Sequence, residues 1–229
     1  MSPTRRRHKP ARVLLVDDHE VVRMGLEMAI DEDPDFEVAG QAANRNEARH
    51  LTDNEAPDLA IVDLSLEGES GLELIKDLVG RHPTLRILVL SMHDETLYAE
   101  RSLRAGAKGY IMKSEGLDRV LEAMRRVMAG DIALSHRMTS RVLERLTAGE
   151  NLGESPIDSL SDRELEVFEL IARGYSTRDI ADNLHLSPRT VDSHREKIKT
   201  KLHLRSALEL HQHAFLWMQQ GGATKTAEP

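Results

Sequence analysis

The chain predicts an α/β fold, a doubly wound five-stranded parallel sheet, followed by a small all-α domain. Three observations carry that expectation. Short apolar runs alternate with helical periodicity about five times before residue 130, each run ends in a polar residue, and beyond residue 158 the periodicity is helical only. A length of 229 residues fits two ordinary domains better than one large one.

The elements follow in order. Arg12 to Val16 is an apolar, β-favouring run that ends in Asp17 and Asp18. From Glu20, Val22, Leu26, Met28, Ala29 and Ile30 repeat with helical spacing until Asp33-Pro34, where proline discourages continuation. Phe36 to Ala42 is a second strand, Asn44 to Leu51 a helix, and Leu59 to Val62 a third strand that delivers Asp63 to its end. Gly71 to Leu78 is helical, Arg86 to Ser91 a buried strand, Thr96 to Ala105 a helix, Gly109 to Met112 a short strand and Leu117 to Met128 a closing helix. Residues 131–157 break the alternation and read as a linker, with Val142, Leu143 and Leu146 suggesting a helix within it. Residues 1–11 form a basic tail and residues 220–229 a disordered one.

Composition narrows the function classes. Hydrophobic residues are 40% and charged residues 31%, so the chain is globular, while 3% aromatics require an aliphatic core. The net charge of -8 argues against wholesale nucleic-acid binding and leaves room only for a local basic surface. The lack of cysteine excludes disulfides and thiolate sites and suits the cytoplasm. No apolar run is long enough to span a membrane, and the basic opening is followed too soon by Asp17 and Asp18 to be a signal peptide.

In a parallel sheet of this kind ligands sit outside the carboxyl ends of the strands. There the order of the chain gathers Asp17 and Asp18, Asp63, Ser91 and Lys113. Carboxylates brought together repel unless a cation sits among them, and an oxygen set without His or Cys favours Mg2+ or Mn2+ over zinc. Lys113 and Ser91 supply charge and a hydrogen bond for a phosphoryl group, with Asp63 as its acceptor. Taken singly, each residue also reads as a turn, a cap or a surface lysine.

Residues 12–130 resemble the receiver domain of two-component response regulators. VLLVDDHEVVRMGL, AIVDLSLEGESGLEL, ILVLSMHDE and GAKGYIMKS match its motifs in order. The resemblance implies a flavodoxin-like sheet and phosphorylation of Asp63 by a sensor histidine kinase. It further implies Mg2+ on Asp18 and Asp63, with a backbone carbonyl near Ser65 as a further ligand and Asp17 acting through a water. Ser91 and Lys113 then contact the phosphoryl group, and Tyr110 is the aromatic that repositions with Ser91. The chain departs from the family at Leu66 and Glu67, where methionine and proline are frequent, and at Ser114, where proline is; Glu67 and Glu69 add negative charge beside the acceptor.

In residues 158–219, Leu165, Val167, Phe168, Leu170 and Ile171 share a helical face that ends near Gly174. Thr177 caps a short helix, His185 and Leu186 turn the chain, and Ser187 caps a third helix with Pro188 at its first position. This is helix-turn-helix spacing. Val191, Ile198 and Leu202 face inward, and the third helix carries the local basic surface that the net charge demanded. The segment resembles the LuxR-type DNA-binding domain, and a receiver followed by it is the architecture of the NarL/FixJ subfamily. DNA contacts are expected from Ser187, Arg189, Thr190, Asp192, Ser193, Glu196, Lys197 and Lys201, and Leu210, Ala214 and Trp217 are expected to pair two such domains.

The expectation is therefore a cytoplasmic transcriptional regulator that is not an enzyme. Its partners are a sensor histidine kinase, promoter DNA and a second copy on DNA, with no membrane. A phosphohydrolase using Asp63 as nucleophile, and a constitutive DNA-binding protein whose receiver only dimerises, are the alternatives.

Overall fold

The computed structural model describes residues 9–66, 69–140 and 156–219. The chain divides into two compact units, one ending at Ser135 and the other beginning at His136. The expected basic tail before residue 9, the linker helix at Val142, Leu143 and Leu146, Glu67, the Glu69 side chain and the tail 220–229 lie outside the described residues.

Five strands form the first unit's sheet: β1 (Ala11–Val16), β2 (Phe36–Ala42), β3 (Leu59–Val62), β6 (Arg86–Ser91) and β7 (Gly109–Met112). All pair in parallel in the order β2-β1-β3-β6-β7. Helices α1 (Glu20–Asp31), α2 (Arg45–Glu55), α3 (Gly71–Arg81), α4 (Glu95–Ala105) and α5 (Leu117–Ala129) fill the connections. A small antiparallel pair, β4 (Ser65–Leu66) and β5 (Glu69–Ser70), interrupts the chain between β3 and α3.

Side chains alternate across a strand, so the buried runs of β1, β3 and β6 need cover on both faces. Val13, Leu15, Leu59, Ile61, Leu88 and Leu90 meet Leu26 and Ile30 of α1 and Val120, Met124 and Val127 of α5. Met28, counted with the apolar positions of α1, instead faces solvent together with Val21 and Met24.

Two glycines are fixed by close approach rather than by turn geometry. A Cβ at Gly71 would lie 2.4 Å from the Asp63 carbonyl oxygen, where α3 starts against the loop after β3. At Gly109 it would meet Ala133 and Leu88 at 2.8 Å. The reason is that the segment after α5 turns back along β7, with Gly109 bridging Ala133 and the Tyr110 amide donating to the Ala133 carbonyl at 2.8 Å. Residues 131–135, read from sequence as the start of the linker, thus cover the open edge of the sheet.

In the second unit, residues 136–140 are helical (α6), and a short 3-10 turn (Pro156–Ser159) leads into α7 (Asp162–Ala172), α8 (Thr177–Asn183), α9 (Pro188–Lys201) and α10 (Ala207–Gln219). Ser161 and Glu164 form a capping box at α7, and Ser187 caps α9 with Pro188 in its first turn. The cap of α8 is Ser176, not Thr177, because Ser176 forms a reciprocal box with Asp179 that the Thr177 register lacks.

The stripe on α10 needs a larger correction. Leu210 and Ala214 are fully buried and Trp217 is 7% exposed, with the indole edge-on to Phe168 of α7 at 5.2 Å. These residues close their own domain. The outward face carries Leu208, Phe215 and Leu216, which are 67%, 51% and 57% exposed. Spacing alone fixes a stripe but not which of two apolar stripes turns inward. Trp217→Ala should therefore destabilise the second unit by about 3 to 5 kcal/mol, read as a fall in the urea midpoint of its helical circular dichroism. A change within about 0.5 kcal/mol would mean that the indole is not part of the core.

Candidate functional site

The strand order reverses between β1, which pairs with β2 on one side, and β3 on the other, and this is where an open α/β sheet forms its crevice. The ladder runs on past both strand ends. The Asp17 amide donates to the Ala42 carbonyl at 3.1 Å and the Asp63 amide to the Val16 carbonyl at 2.9 Å. Both acids are thereby set side by side on rigid backbone, and both are buried.

Lys113 follows β7 and reaches back across the sheet. Its Nζ lies 2.6 Å from Asp17 Oδ2 and 2.6 Å from Asp63 Oδ2. One ammonium between two carboxylates leaves a surplus negative charge. Burial holds the Asp63 carboxyl above its ordinary range, with Asp17 adding to the effect and Lys113 opposing it. Burial pulls Lys113 down, but the two carboxylates together outweigh it and hold its ammonium more firmly charged than usual.

The second oxygen of Asp63, Oδ1, is buried and makes no hydrogen bond, an expensive arrangement for a carboxylate unless something else binds there. Asp18 is more open, and its Oδ1 is 2.6 Å from His19 Nδ1. Asp17 Oδ1 accepts from the His19 amide at 2.9 Å, a local turn that folds the imidazole back to 3.2 Å from the same oxygen. Asp17, Asp18, His19 and Asp63 each bring one ligand atom, all within 4.8 Å of one another. The donor set of carboxylates and an unpartnered oxygen suits a divalent cation. The turn at Asp17 also brings a nitrogen, His19 Nδ1, beside the carboxylates, which strand-end reasoning does not count.

Ser91, the last residue of β6, is fully buried, and its Oγ accepts from the His93 amide at 3.2 Å. His93, which sequence reading passed over, is the hub of this side of the crevice. Its Nε2 is 2.9 Å from Ser65 Oγ in the acceptor loop, and its carbonyl accepts from the Tyr110 hydroxyl at 2.9 Å. Tyr110 is thus held fully buried, and the His93 ring lies 4.5 Å from that of Tyr98. Two residues on, buried Glu95 accepts from Ser135 Oγ at 2.7 Å. The single ILVLSMHDE motif carries all three positions, so the signal was present in its spacing.

In the second unit α8 and α9 meet through a tight turn. His185 takes a positive φ of 51° and the Leu186 amide donates to the Ala181 carbonyl at 2.8 Å. Val191, Ile198 and Leu202 point inward, and Arg189, Asp192, Ser193, Glu196, Lys197 and Thr200 are exposed as expected. Ser187 and Thr190 bond each other through their hydroxyls at the start of α9. Thr177 Oγ1 approaches Asp192 at 3.5 Å and receives Arg195 at 3.4 Å, while Arg195 also reaches His211 of α10 at 3.0 Å.

Lys201 is a correction. Its ammonium holds Glu164 at 2.7 Å and the Ser159 carbonyl at 2.9 Å, so it ties α9 to the start of α7. Burial alone would raise the Glu164 carboxyl, but Lys201 and the Ser161 cap together hold it below its ordinary range. Glu196 pairs with Lys199 at 2.9 Å and stays largely open. Among the described residues Arg189 and Lys197 make no ion pair.

Residues 13–125 match the response regulator receiver domain family, and residues 158–214 match the LuxR family of bacterial regulatory proteins. The chain is 38% identical over 208 residues to the oxygen regulatory protein NreC of Staphylococcus carnosus and 37% identical to that of Staphylococcus haemolyticus, in each case covering 89% of this chain and 96% of the relative. Among solved structures it is similar to a LuxR-family two-component response regulator from Aurantimonas, at 32% identity and TM-score 0.56, over 61% of this chain and 99% of that one. It shares the fold of RcsB from Salmonella enterica serovar Typhimurium bound to a promoter, at 24% identity and TM-score 0.60, over 90% of this chain and 98% of that one. Among the described residues no helix is long and apolar enough to cross a membrane. The chain belongs to the response regulators of the NarL/FixJ type, DNA-binding transcription regulators of two-component systems that are not enzymes.

Proposed function

We propose that Asp63 is the phosphoacceptor through which a sensor histidine kinase controls binding of this regulator, as a homodimer, to promoter DNA in the cytoplasm. The observation that carries this is the Asp63 carboxylate itself: one oxygen on Lys113 at 2.6 Å, the other buried and unpartnered. An Asp63 oxygen attacks the phosphorus of a phosphohistidine, a P–O bond forms, and the P–N bond breaks with its electron pair returning to the imidazole. Lys113 and Ser91 then bind phosphoryl oxygens, and Tyr110 follows the displacement of Ser91. Asp18 and Asp63, with the Ser65 backbone carbonyl and Asp17 through a water, would hold Mg2+, which would supply positive charge for the phosphoryl oxygens. Phosphorylation shifts a receiver equilibrium, and the output domains respond to that population.

On the DNA side, α9 enters the major groove. Arg189 and Lys197 meet phosphates, and Ser187, Thr190, Asp192, Ser193 and Glu196 line the face turned to the bases. Lys201, already committed to Glu164, is left out of this set.

Asp63→Asn should abolish acid-labile phosphate incorporation from a small phosphodonor, and full-stoichiometry labelling of the variant would refute the assignment. The same substitution should not weaken the fold. A carboxyl held above its unfolded range contributes least where it must ionise, so at pH 7.5 the variant should have a urea midpoint equal to or above wild type. That gain should disappear as the pH falls through about 4, where the unfolded carboxyl is protonated too. A loss of stability at pH 7.5 would contradict the surplus-charge account.

For the reader helix, Arg189→Ala and Lys197→Ala should weaken binding to all sequences alike and each lower the salt dependence by about one phosphate contact. Lys201→Ala should leave the salt slope unchanged and lower the melting temperature instead. Equal slopes lost by all three would return Lys201 to the DNA face. Glu196→Gln should relax discrimination at one base pair per half-site, a position worth roughly 1 to 3 kcal/mol. An unaltered base preference would make the carboxylate a bystander.

A further inference from the structure

His19 lies in the acidic crevice without serving the fold there. It stands at the N-cap of α1 with an extended backbone, φ -87° and ψ 107°, and its side chain makes no capping bond. The ring is 65% exposed, and it contacts the carboxylates of Asp17 and Asp18. Its position is nonetheless fixed on the backbone side, because the His19 amide donates to Asp17 Oδ1 at 2.9 Å. Nδ1 ends 2.6 Å from Asp18 Oδ1 and 3.2 Å from Asp17 Oδ1.

The second, independent observation is Asp63 Oδ1, buried and unpartnered, on the residue whose carboxylate groups with the ligand atoms of the other three within 4.8 Å. Donors that each lie roughly 2.0 to 2.2 Å from one ion stand at most about 4.4 Å apart, so the group needs only a small inward shift to close on one, which the exposed ring can make. Three carboxylate oxygens by themselves make a site for a hard cation. An imidazole changes the ranking, since nitrogen raises affinity for zinc, nickel and cobalt, whereas Mg2+ holds its water and prefers oxygen.

We propose that His19 makes the crevice a three-carboxylate, one-imidazole site for a borderline divalent transition metal, with zinc as the reference ion, and that this ion competes with Mg2+ for Asp18 and Asp63. The proposal rests on the cation reading of the crevice given under Proposed function. Magnesium uses the oxygens and is indifferent to the ring. Zinc uses the ring as well, so the imidazole sets the selectivity between the two without being needed for Mg2+.

The test is isothermal titration of the full chain with Mg2+, with Zn2+, and with Zn2+ in the presence of competing Mg2+, for wild type, His19→Gln, His19→Asp and Asp18→Ala. Zinc held by other members of the chain's eleven histidines is separated out because Mg2+ does not displace it and Asp18→Ala does not remove it. Both His19 variants should lower the preference of the competitive site for Zn2+ over Mg2+ by roughly tenfold or more, while the Mg2+ affinity of His19→Gln stays within about threefold of wild type. His19→Asp, which restores an oxygen donor and not a nitrogen, keeps the result independent of any disturbance caused by the shorter reach of the amide. If wild type binds Mg2+ and neither variant shifts the preference, the role of His19 falls while the cation reading stands. If wild type binds no Mg2+ at all, both fall.

Discussion

The arrangement of the first unit depends on one ammonium shared between two buried carboxylates. Lys113 leaves the last strand and is held at 2.6 Å by acids at the ends of two others, so it fastens the carboxyl edge of the sheet across its middle. Removing the lysine from such a buried cluster typically costs about 3 to 5 kcal/mol, because it strands both carboxylates in a medium that solvates them poorly. Yet the cluster is not balanced. With a single cation for Asp17 and Asp63, and Asp18 beside them, the crevice keeps a negative surplus that folding alone does not neutralise. That surplus is why the site suits a divalent cation, and it is the electrostatic basis of the Lys113 role proposed above.

What happens at this edge is bound to the rest of the unit through five residues. From Ser91 to Glu95 the chain holds the His93 amide on the Ser91 hydroxyl, the His93 ring on Ser65, the His93 carbonyl on Tyr110 and the Glu95 carboxylate on Ser135. Tyr110 in turn donates its amide to Ala133. The segment leaving the first unit is therefore pinned at two points, one on Glu95, two residues beyond His93, and one on Tyr110, whose hydroxyl bonds His93 itself. A displacement of Ser91 would be passed on through His93, whose amide is held by that hydroxyl and whose ring and carbonyl are bonded to Ser65 and Tyr110.

Much of this was legible in the sequence for a simple physical reason. Strands covered on both faces must be continuously apolar, so Leu59 to Val62 and Arg86 to Ser91 are observed with the bounds their composition predicts, and the polar residues that end them converge on one edge. Helix ends were less legible. The Ser176 cap and the longer α2 depend on which of several adjacent polar residues closes a hydrogen bond, a choice settled by tertiary packing. His19 and His93 were missed because their roles arise from turns, in which a residue one or two beyond a strand end is folded back toward it. The face of α10 was misjudged because both of its stripes are apolar, and only the Phe168 ring decides which one is buried.

The same distinction between composition and geometry explains how a chain of net charge -8 presents a DNA-reading surface. Counting cations along α9 overstates the field, since Lys201 and Lys199 are paired with Glu164 and Glu196 and Arg195 braces Thr177 and His211. The Lys201 and Arg195 contacts fix the helix against α7, α8 and α10, the Lys199–Glu196 pair lies within α9 itself, and together they leave little net charge outward. Arg189 and Lys197 keep theirs, on exposed positions of the same helix. A reader built this way has a weak sequence-independent attraction, because few phosphates are neutralised and the whole protein repels the backbone. On the function proposed above, its affinity for a promoter then comes from base-edge contacts and from a second copy on the same DNA.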